Sequence, residues 1–214
     1  GTNDYGISVN LQQTINFTDN TDRTYLNGNY SQVFRLDTNG TNTLNFDYIS
    51  QIENITGSSG DDTFTGNTSQ NSILAGAGDD IIYYTRGLDY YDGGNHTTSS
   101  GQGSGTPSVG GGDWISLAKE TTTTVNFDLY NSSVGANITN SSATVTNIEN
   151  IIGYNGVQAT TGWGTDSNNI FIMYAGNDSI IGRQGNDVYD LGDGNDAAFA
   201  LYGNDTIIGG AGID

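Results

Sequence analysis

The apolar positions near the end of the chain recur with a period of nine. Residues 173–214 divide into four full nonapeptides and a partial fifth, and we number the positions of each as places 1 to 9. Place 8 is apolar or aromatic at Ile180, Tyr189 and Ile207, and it is small at Ala198. The last three places of each nonapeptide, with an apolar place 8, predict a very short strand whose place-8 side chain points into a narrow core.

Glycine and aspartate follow the same period. Place 4 is glycine and place 6 is aspartate in every one of these nonapeptides. Glycine permits the positive φ of a tight turn and lets the backbone approach a ligand closely. Places 1 to 6 therefore predict a turn that ends in a carboxylate, and the fixed period predicts a solenoid. The place-6 aspartates are Asp178, Asp187, Asp196, Asp205 and Asp214.

If two nonapeptides form one coil, these carboxylates stack in columns. Asp178, Asp196 and Asp214 would form one column, and Asp187 and Asp205 the other. Stacked strands lie ~4.8 Å apart, and two bare carboxylates at that spacing repel by roughly 3 kcal/mol at an effective dielectric constant of ~20. A cation between successive coils would cancel this repulsion. Calcium suits the site because it takes several oxygen ligands in flexible geometry and accepts backbone carbonyls.

The composition limits which metals and which classes of partner are expected. The chain has no cysteine and a single histidine, His96, so zinc and copper sites are not expected. Its net charge of −19 argues against nucleic acid and anionic membranes as partners and favours cations. No apolar run is long enough for direct membrane insertion. Hydrophobic residues make up only 34% of the chain, which favours a thin solenoid core over a thick globular one.

The pattern resembles the G-G-x-G-x-D-x-U-x repeat of the repeats-in-toxin (RTX) family, whose repeats are also called haemolysin-type calcium-binding repeats. The resemblance is carried by GRQGNDVYD at 182–190, LYGNDTII at 201–208 and GGAGID at 209–214. It implies an all-β fold, namely a right-handed parallel β-roll or β-solenoid with calcium held in the nonapeptide turns. It also implies export by a type I system in an unfolded state.

A weaker run of nonapeptides occupies residues 57–94. Its place-6 residues would pair Asp62 with Asp80 and Asn71 with Asp89, although Asn71 carries no charge. We therefore expect about five calcium sites, between 62/80, 71/89, 178/196, 196/214 and 187/205. The predicted metal ligands are Asp62, Asp80, Asp89, Asp178, Asp187, Asp196, Asp205 and Asp214.

The chain also contains an internal duplication. The motif Ile-Glu-Asn-Ile occurs at 52–55 and again at 148–151, an offset of 96 residues. Glu53 and Glu149, which occupy matching places in it, either hold the first calcium of each run or accept backbone amides where the coil changes shape. Gln158 stands one offset after Asp62, so no calcium column is expected around it.

These patterns predict two modules with an insertion between them. Alternating apolar and polar residues predict strands in the lead-in of each module. Glycine and serine dominate the insertion, and a solvated loop residue is the expected role of its His96. The predicted divisions are 1–94 for the first module, with lead-in 1–56 and nonapeptides 57–94; 95–112 for the insertion; and 113–214 for the second module, with lead-in 113–152, degenerate turns 153–172 and nonapeptides 173–214.

Four functions remain open from the sequence. The one we favour is a calcium-binding segment of a larger secreted bacterial surface protein, of S-layer or adhesin type, that folds and stiffens on calcium outside the cell. The alternative is the calcium-binding, secretion-related C-terminal region of an exported enzyme or toxin. An enzyme is not predicted, because no nucleophile or metalloprotease motif is present. An ice-binding solenoid is disfavoured, because place 3 carries no regular threonine ladder.

The predicted location is therefore extracellular or at the cell surface. Calcium ions are the predicted partners, and neighbouring copies, other surface proteins and glycans stay open as further ones. We also interpret the chain as a segment of a longer repeat protein.

Overall fold

The molecule is built from short strands and tight turns. The computed structural model describes residues 7–16, 29–36, 43–49, 53–95, 112–118, 125–131, 133–136 and 142–214. Within these ranges no helix is long and apolar enough to cross a membrane. The strands are β1 (Ile7–Asn16), β2 (Asn29–Leu36), β3 (Thr43–Ile49), β4 (Asn54–Thr56), β5 (Thr63–Thr65), β6 (Ser72–Ala77), β7 (Ile81–Tyr83), β8 (Tyr90–Asn95), β9 (Trp114–Ser116), β10 (Val125–Asp128), β11 (Ser133–Ala136), β12 (Ser142–Thr146), β13 (Asn150–Ile152), β14 (Thr161–Trp163), β15 (Ile170–Ile172), β16 (Ser179–Ile181), β17 (Val188–Asp190), β18 (Asp193–Gly194), β19 (Ala197–Phe199), β20 (Thr206–Ile208) and β21 (Ala211–Gly212).

Most of these strands alternate between two sheets as the chain proceeds. Sheet 1 has the spatial order β20-β17-β15-β13-β9-β7-β5-β1-β2-β3, and sheet 2 has the order β19-β16-β14-β10-β11-β12-β8-β6-β4. Within the nonapeptide runs, each strand pairs in parallel with the strand one coil later. Phe64 lies opposite Ile82 in sheet 1, for example, and Ile180 lies opposite Ala198 in sheet 2. Two nonapeptides therefore make one coil, and the predicted all-β parallel β-roll is confirmed.

The core of the roll is a narrow column of place-8 side chains between the sheets. These positions include Phe64, Ile73, Ile180 and Tyr189, each 0% exposed. Ile207 is 50% exposed because its strand, β20, is the edge of sheet 1. The core is one residue thick per strand, so burial of apolar surface alone gives each coil a limited stabilisation.

Two antiparallel meanders interrupt the parallel stacking. Strands β1, β2 and β3 form one meander at the end of sheet 1, and β10, β11 and β12 form the other within sheet 2. The first strand of each meander pairs in parallel with a later strand of the roll, β1 with β5 and β10 with β14. This shared arrangement agrees with an internal duplication, although β4 and its counterpart β13 lie on opposite sheets.

The insertion interrupts a single turn of the roll. Strand β9 stacks directly on β7, with Ile115 opposite Ile82. The contact that joins Asp80 to Asp113 spans 33 residues, whereas the regular coil-to-coil contacts span 18, an excess of 15. Gly93 and Gly94 therefore begin a turn that Gly112 and Asp113 complete.

Candidate metal columns in the turns

Place-6 side chains stack in two columns along the edges of the roll. We call the residues that precede sheet-1 strands of the roll the first column and those that precede sheet-2 strands of the roll the second column. The first column contains Asp62, Asp80, Asp113, Glu149, Asn169, Asp187 and Asp205. The second column contains Asn71 and Asp89 on one side of the second meander and Thr160, Asp178 and Asp196 on the other, and Asp214 extends it by accepting the Asp196 amide.

Hydrogen bonds between backbone and side chain hold each column together. The backbone amide of one column residue donates to a carboxylate oxygen of the next, at 2.7 Å from Asp62 to Asp80 and at 2.8 Å from Asp178 to Asp196. The same contact joins all five predicted pairs, 62/80, 71/89, 178/196, 196/214 and 187/205. Metal binding by these pairs stays a prediction.

Side chains at place 5 brace the same turns from the other direction. The amide of Asn186 donates to Oδ1 of Asn168 at 2.6 Å, and the amide of Asn204 donates to Oδ1 of Asn186 at 2.8 Å. Asn195 and Asn177 form an equivalent contact. These contacts tie the place-5 backbone amide of one coil to the side chain of the coil before it, which gives the recurrent asparagine at place 5 a structural role.

Five column aspartates have an oxygen that the protein leaves unsatisfied. Among the described residues, the buried Oδ2 atom has no hydrogen-bond partner in Asp80, Asp113, Asp178, Asp187 and Asp196. Each of these residues is at most 6% exposed. A buried carboxylate oxygen without a partner is costly, and a bound cation removes that cost. The column residues therefore fit a hard cation such as calcium.

The residue at place 2 differs between the turns with an unsatisfied aspartate and the other turns. In those other turns, a donor of the same nonapeptide bonds to the place-6 side chain. We call the turns that end at Asp62, Asn71, Asp89 and Asn169 the closed turns, and place 2 in them is Ser58, Asn67, Thr85 and Thr165. The amides of Ser58 and Thr165 donate to the place-6 side chain at 2.6 and 2.8 Å. The turn of Asn67 has the same contact, and Asp89 instead accepts the Tyr91 hydroxyl at 2.7 Å.

The open turns, which end at the five aspartates with an unsatisfied Oδ2, lack a short polar side chain at place 2. Place 2 has a positive φ at Gly76, Gly94, Arg183 and Gly192, with values of 120°, 101°, 84° and 84°. Tyr174, the place-2 residue of the remaining open turn, is not among the residues with positive φ. The absence of a short polar side chain at place 2 is therefore the feature that all five open turns share.

Burial also shifts the protonation of the column aspartates. It raises the pKa of Asp80 to about 7, with Asp62 and two further aspartates adding to the shift. It raises the pKa of Asp178 to about 6 and that of Asp187 to about 7, and the next aspartate of each column adds to the effect. Hydrogen bonds from backbone amides oppose these shifts but do not cancel them. A calcium ion would supply the positive charge that favours the ionised form.

The structure also shows column positions that are not among the predicted metal ligands. Asp113 and Asn169 belong to the first column, and Thr160 belongs to the second, where its amide donates to Asp178. Asn169 lies within the segment predicted as degenerate. Thr160, and not Gln158, is the column residue because residues 153–160 form a turn of eight residues between β13 and β14, two more than in the turns 164–169, 173–178 and 182–187.

Glu149 belongs to the first column, and the turn that leads to it is short. Its Oε2 accepts the backbone amide of Asp113 at 2.9 Å, as an aspartate Oδ1 does elsewhere. Only residues 147–149 separate β12 from β13, so a longer side chain is needed to reach the preceding coil. This contact corresponds to the second role considered for Glu149, namely acceptance of a backbone amide where the coil changes shape. The side chain of Glu53 is exposed.

Each turn offers about one carboxylate to a column. The described residues contain no group of three or more His, Cys, Asp or Glu side chains that could hold a metal ion.

Comparison with known proteins agrees with this geometry. No curated protein matches the chain. The family model of the RTX calcium-binding nonapeptide repeat matches in four copies, over residues 56–95, 163–198 and 199–214. With parallel coils whose turns end in stacked aspartates, residues 56–95 and 163–214 are therefore RTX calcium-binding nonapeptide repeats.

Proposed function

We propose that this chain is a segment of a larger secreted bacterial surface protein, of S-layer or adhesin type, that folds and stiffens when calcium binds to its turns outside the cell. The single observation that carries the proposal is the set of unsatisfied, buried Oδ2 atoms in the open turns. The protein supplies no hydrogen bond to these oxygens, so the folded roll needs a cation there.

Calcium would bind to the carboxylates that stack in the two columns. Asp80, Asp178, Asp187 and Asp196 each bring an unsatisfied oxygen, and backbone carbonyls of the turns or water would complete the coordination. Asp205 and Asp214 accept amides from Asp187 and Asp196 and extend the same columns. Asp62 and Asp89 remain predicted ligands, although both already accept hydrogen bonds.

Folding would then depend on the calcium concentration. Without calcium, stacked carboxylates repel each other in a chain whose net charge is −19. Five divalent ions would add ten positive charges and neutralise about half of that net charge. Extracellular calcium sites bind with dissociation constants of ~10⁻⁴ to 10⁻³ M, so the sites would be empty in the cytosol and filled outside the cell.

Circular dichroism with and without calcium tests the proposal. The strand signal should be lost in chelator and restored by millimolar calcium. Magnesium at the same concentration should restore it poorly, because it demands a near-ideal octahedron and loses its water reluctantly. A strand signal that chelator leaves unchanged contradicts folding on calcium. Antibody labelling of intact cells that produce the parent protein tests the surface location.

A further inference from the structure

We infer that a further cation site lies between Asp80 and Asp113, and that a cation bound there holds together the two ends of the insertion. The inference rests on the proposed function and extends it. The site joins two turns that the chain separates by the insertion, and Asp113 lies outside the segments that match the repeat family.

The contact between Asp80 and Asp113 reproduces a regular column contact. The Asp80 amide donates to Asp113 Oδ1 at 2.8 Å, as the Asp62 amide donates to Asp80 Oδ1 at 2.7 Å. The Trp114 amide donates to the Asp80 carbonyl at 2.8 Å, as the Ile81 amide donates to the Asp62 carbonyl at 2.9 Å. The insertion therefore leaves the stacking of the coils unchanged.

Both carboxylates end in an unsatisfied oxygen. Asp80 and Asp113 are each 0% exposed, and neither Oδ2 atom has a hydrogen-bond partner. A Cβ atom placed on Gly93 would lie 2.5 Å from Asp113 Oδ2. That oxygen therefore packs against the chain on the other side of the insertion, within the turn that Gly93 begins.

The surroundings of the site carry further negative charge. The Gly112 amide donates to Asp79 Oδ1 at 3.0 Å, and the Asp113 amide donates to Glu149 Oε2 at 2.9 Å. Asp79 and Glu149 therefore add negative charge beside the site, and Asp80 and Asp113 are its two carboxylate ligands. Hard oxygen ligands select calcium over zinc or copper, and turn carbonyls would complete the coordination.

A cation at this site would have a distinct role in the molecule. Gly93 stands two residues before the first residue of the insertion, and Asp113 stands immediately after its last. A cation that binds Asp113 in contact with the Gly93 turn would fix both ends of the insertion to the same coil. Calcium would then control how firmly the inserted segment is anchored, in addition to folding the repeats.

The substitution Asp113→Asn tests the site, because asparagine keeps the shape of the side chain and an oxygen for the Asp80 amide. Native mass spectrometry of the calcium-loaded chain should show one bound calcium fewer than in the unsubstituted protein. Asp92→Asn is the matched control. It removes the same charge at the base of the insertion, but Asp92 bonds to Asn147 at 2.7 Å and lies outside the columns. The control should keep the full number of ions. An unchanged ion count in Asp113→Asn overturns the inference.

Hydrogen exchange at saturating calcium gives a second test, in which residues 174–208 report whether the variant is folded. Exchange of the amides in 112–118 should be faster in Asp113→Asn than in the unsubstituted protein, while exchange in 174–208 should be the same in both. Equal exchange of 112–118 in the two proteins overturns the inference and leaves the proposed function standing. If calcium protects neither segment of the unsubstituted protein, the proposed function fails as well.

Discussion

The turns that end at Asp62 and Asp187 have the same length and share glycine at places 1 and 4 and aspartate at place 6. Their carboxylates nevertheless differ. Asp62 Oδ2 accepts the Ser58 amide at 2.6 Å, whereas Asp187 Oδ2 is buried without a partner. Place 2 is Ser58 in the first turn and Arg183, with a φ of 84°, in the second. The nonapeptide spacing thus places the carboxylate. In these two turns, a difference at place 2 accompanies the difference in whether the turn's own amide satisfies Oδ2.

The largest effect is expected from Asp196→Ala. Asp196 accepts the Asp178 amide, donates its own amide to Asp214, and carries an unsatisfied Oδ2, so the change affects two predicted sites. Loss of a charged acceptor and of a cation ligand should cost roughly 2–4 kcal/mol in the free energy of unfolding at saturating calcium. Urea denaturation monitored by circular dichroism measures it. A loss similar to that of an exposed aspartate would contradict the shared role of Asp196.

Asparagine substitution of Asp187 and Asp62 compares an open and a closed turn directly. In chelator, Asp187→Asn should partly restore the strand signal, because it removes a buried charge with an unsatisfied oxygen. In calcium it should destabilise the chain by roughly 1–3 kcal/mol, because a ligand is lost. Asp62→Asn should change the chelator signal little and lower calcium affinity less than Asp187→Asn does. Circular dichroism in chelator and thermal unfolding in calcium check the signs, and equal behaviour of the two variants would remove the distinction between the turns.

The Tyr91→Phe variant should convert a closed turn into an open one. The Tyr91 hydroxyl is the donor to Asp89 Oδ2, and the tyrosine is 0% exposed. Its removal should cost about 1–2 kcal/mol just above the calcium concentration that folds the chain, because Oδ2 loses the Tyr91 donor. The cost should be smaller at saturating calcium, which can bind the freed oxygen. The neighbouring Tyr90→Phe, at a 37% exposed side chain, is the control. A cost that is equal at the two calcium concentrations would argue against this conversion.

The smallest effect concerns pH. Burial raises the pKa of Asp80 and Asp187 to about 7 and that of Asp178 to about 6, from 3.8. The stability that these groups contribute is therefore full below about pH 4 and is lost as the pH rises through about 6 to 7. In chelator, lowering the pH from about 8 to about 5 should partly restore the strand signal. Calcium should flatten this dependence, and a calcium-free signal that falls on acidification would contradict the assignment.

Much of the roll could be predicted from the sequence. A period of nine with one apolar place fixes strand length and the inward side chain, because successive strand residues face opposite sides. Glycine at place 4 is required where Gly203 has a φ of 137° and a Cβ would lie 1.5 Å from the Gly185 carbonyl oxygen. The residue type at place 2 is also given by the sequence. Its relation to the place-6 carboxylate is visible only in the hydrogen bonds around Asp62 and Asp187.

The sequence by itself therefore determined the coil, its turns and the regular aspartates, since these follow from local spacing. Only the tertiary structure decided which residues fill the columns where an insertion or deletion interrupts the nine-residue period. Asp113 stacks on Asp80 across the insertion, Thr160 replaces Gln158 as the column residue, and Glu149 reaches the preceding coil from a shortened turn. The physical reason is that strand pairing sets the register of the columns. Insertions and deletions in the turns change the distance along the chain without moving the strands.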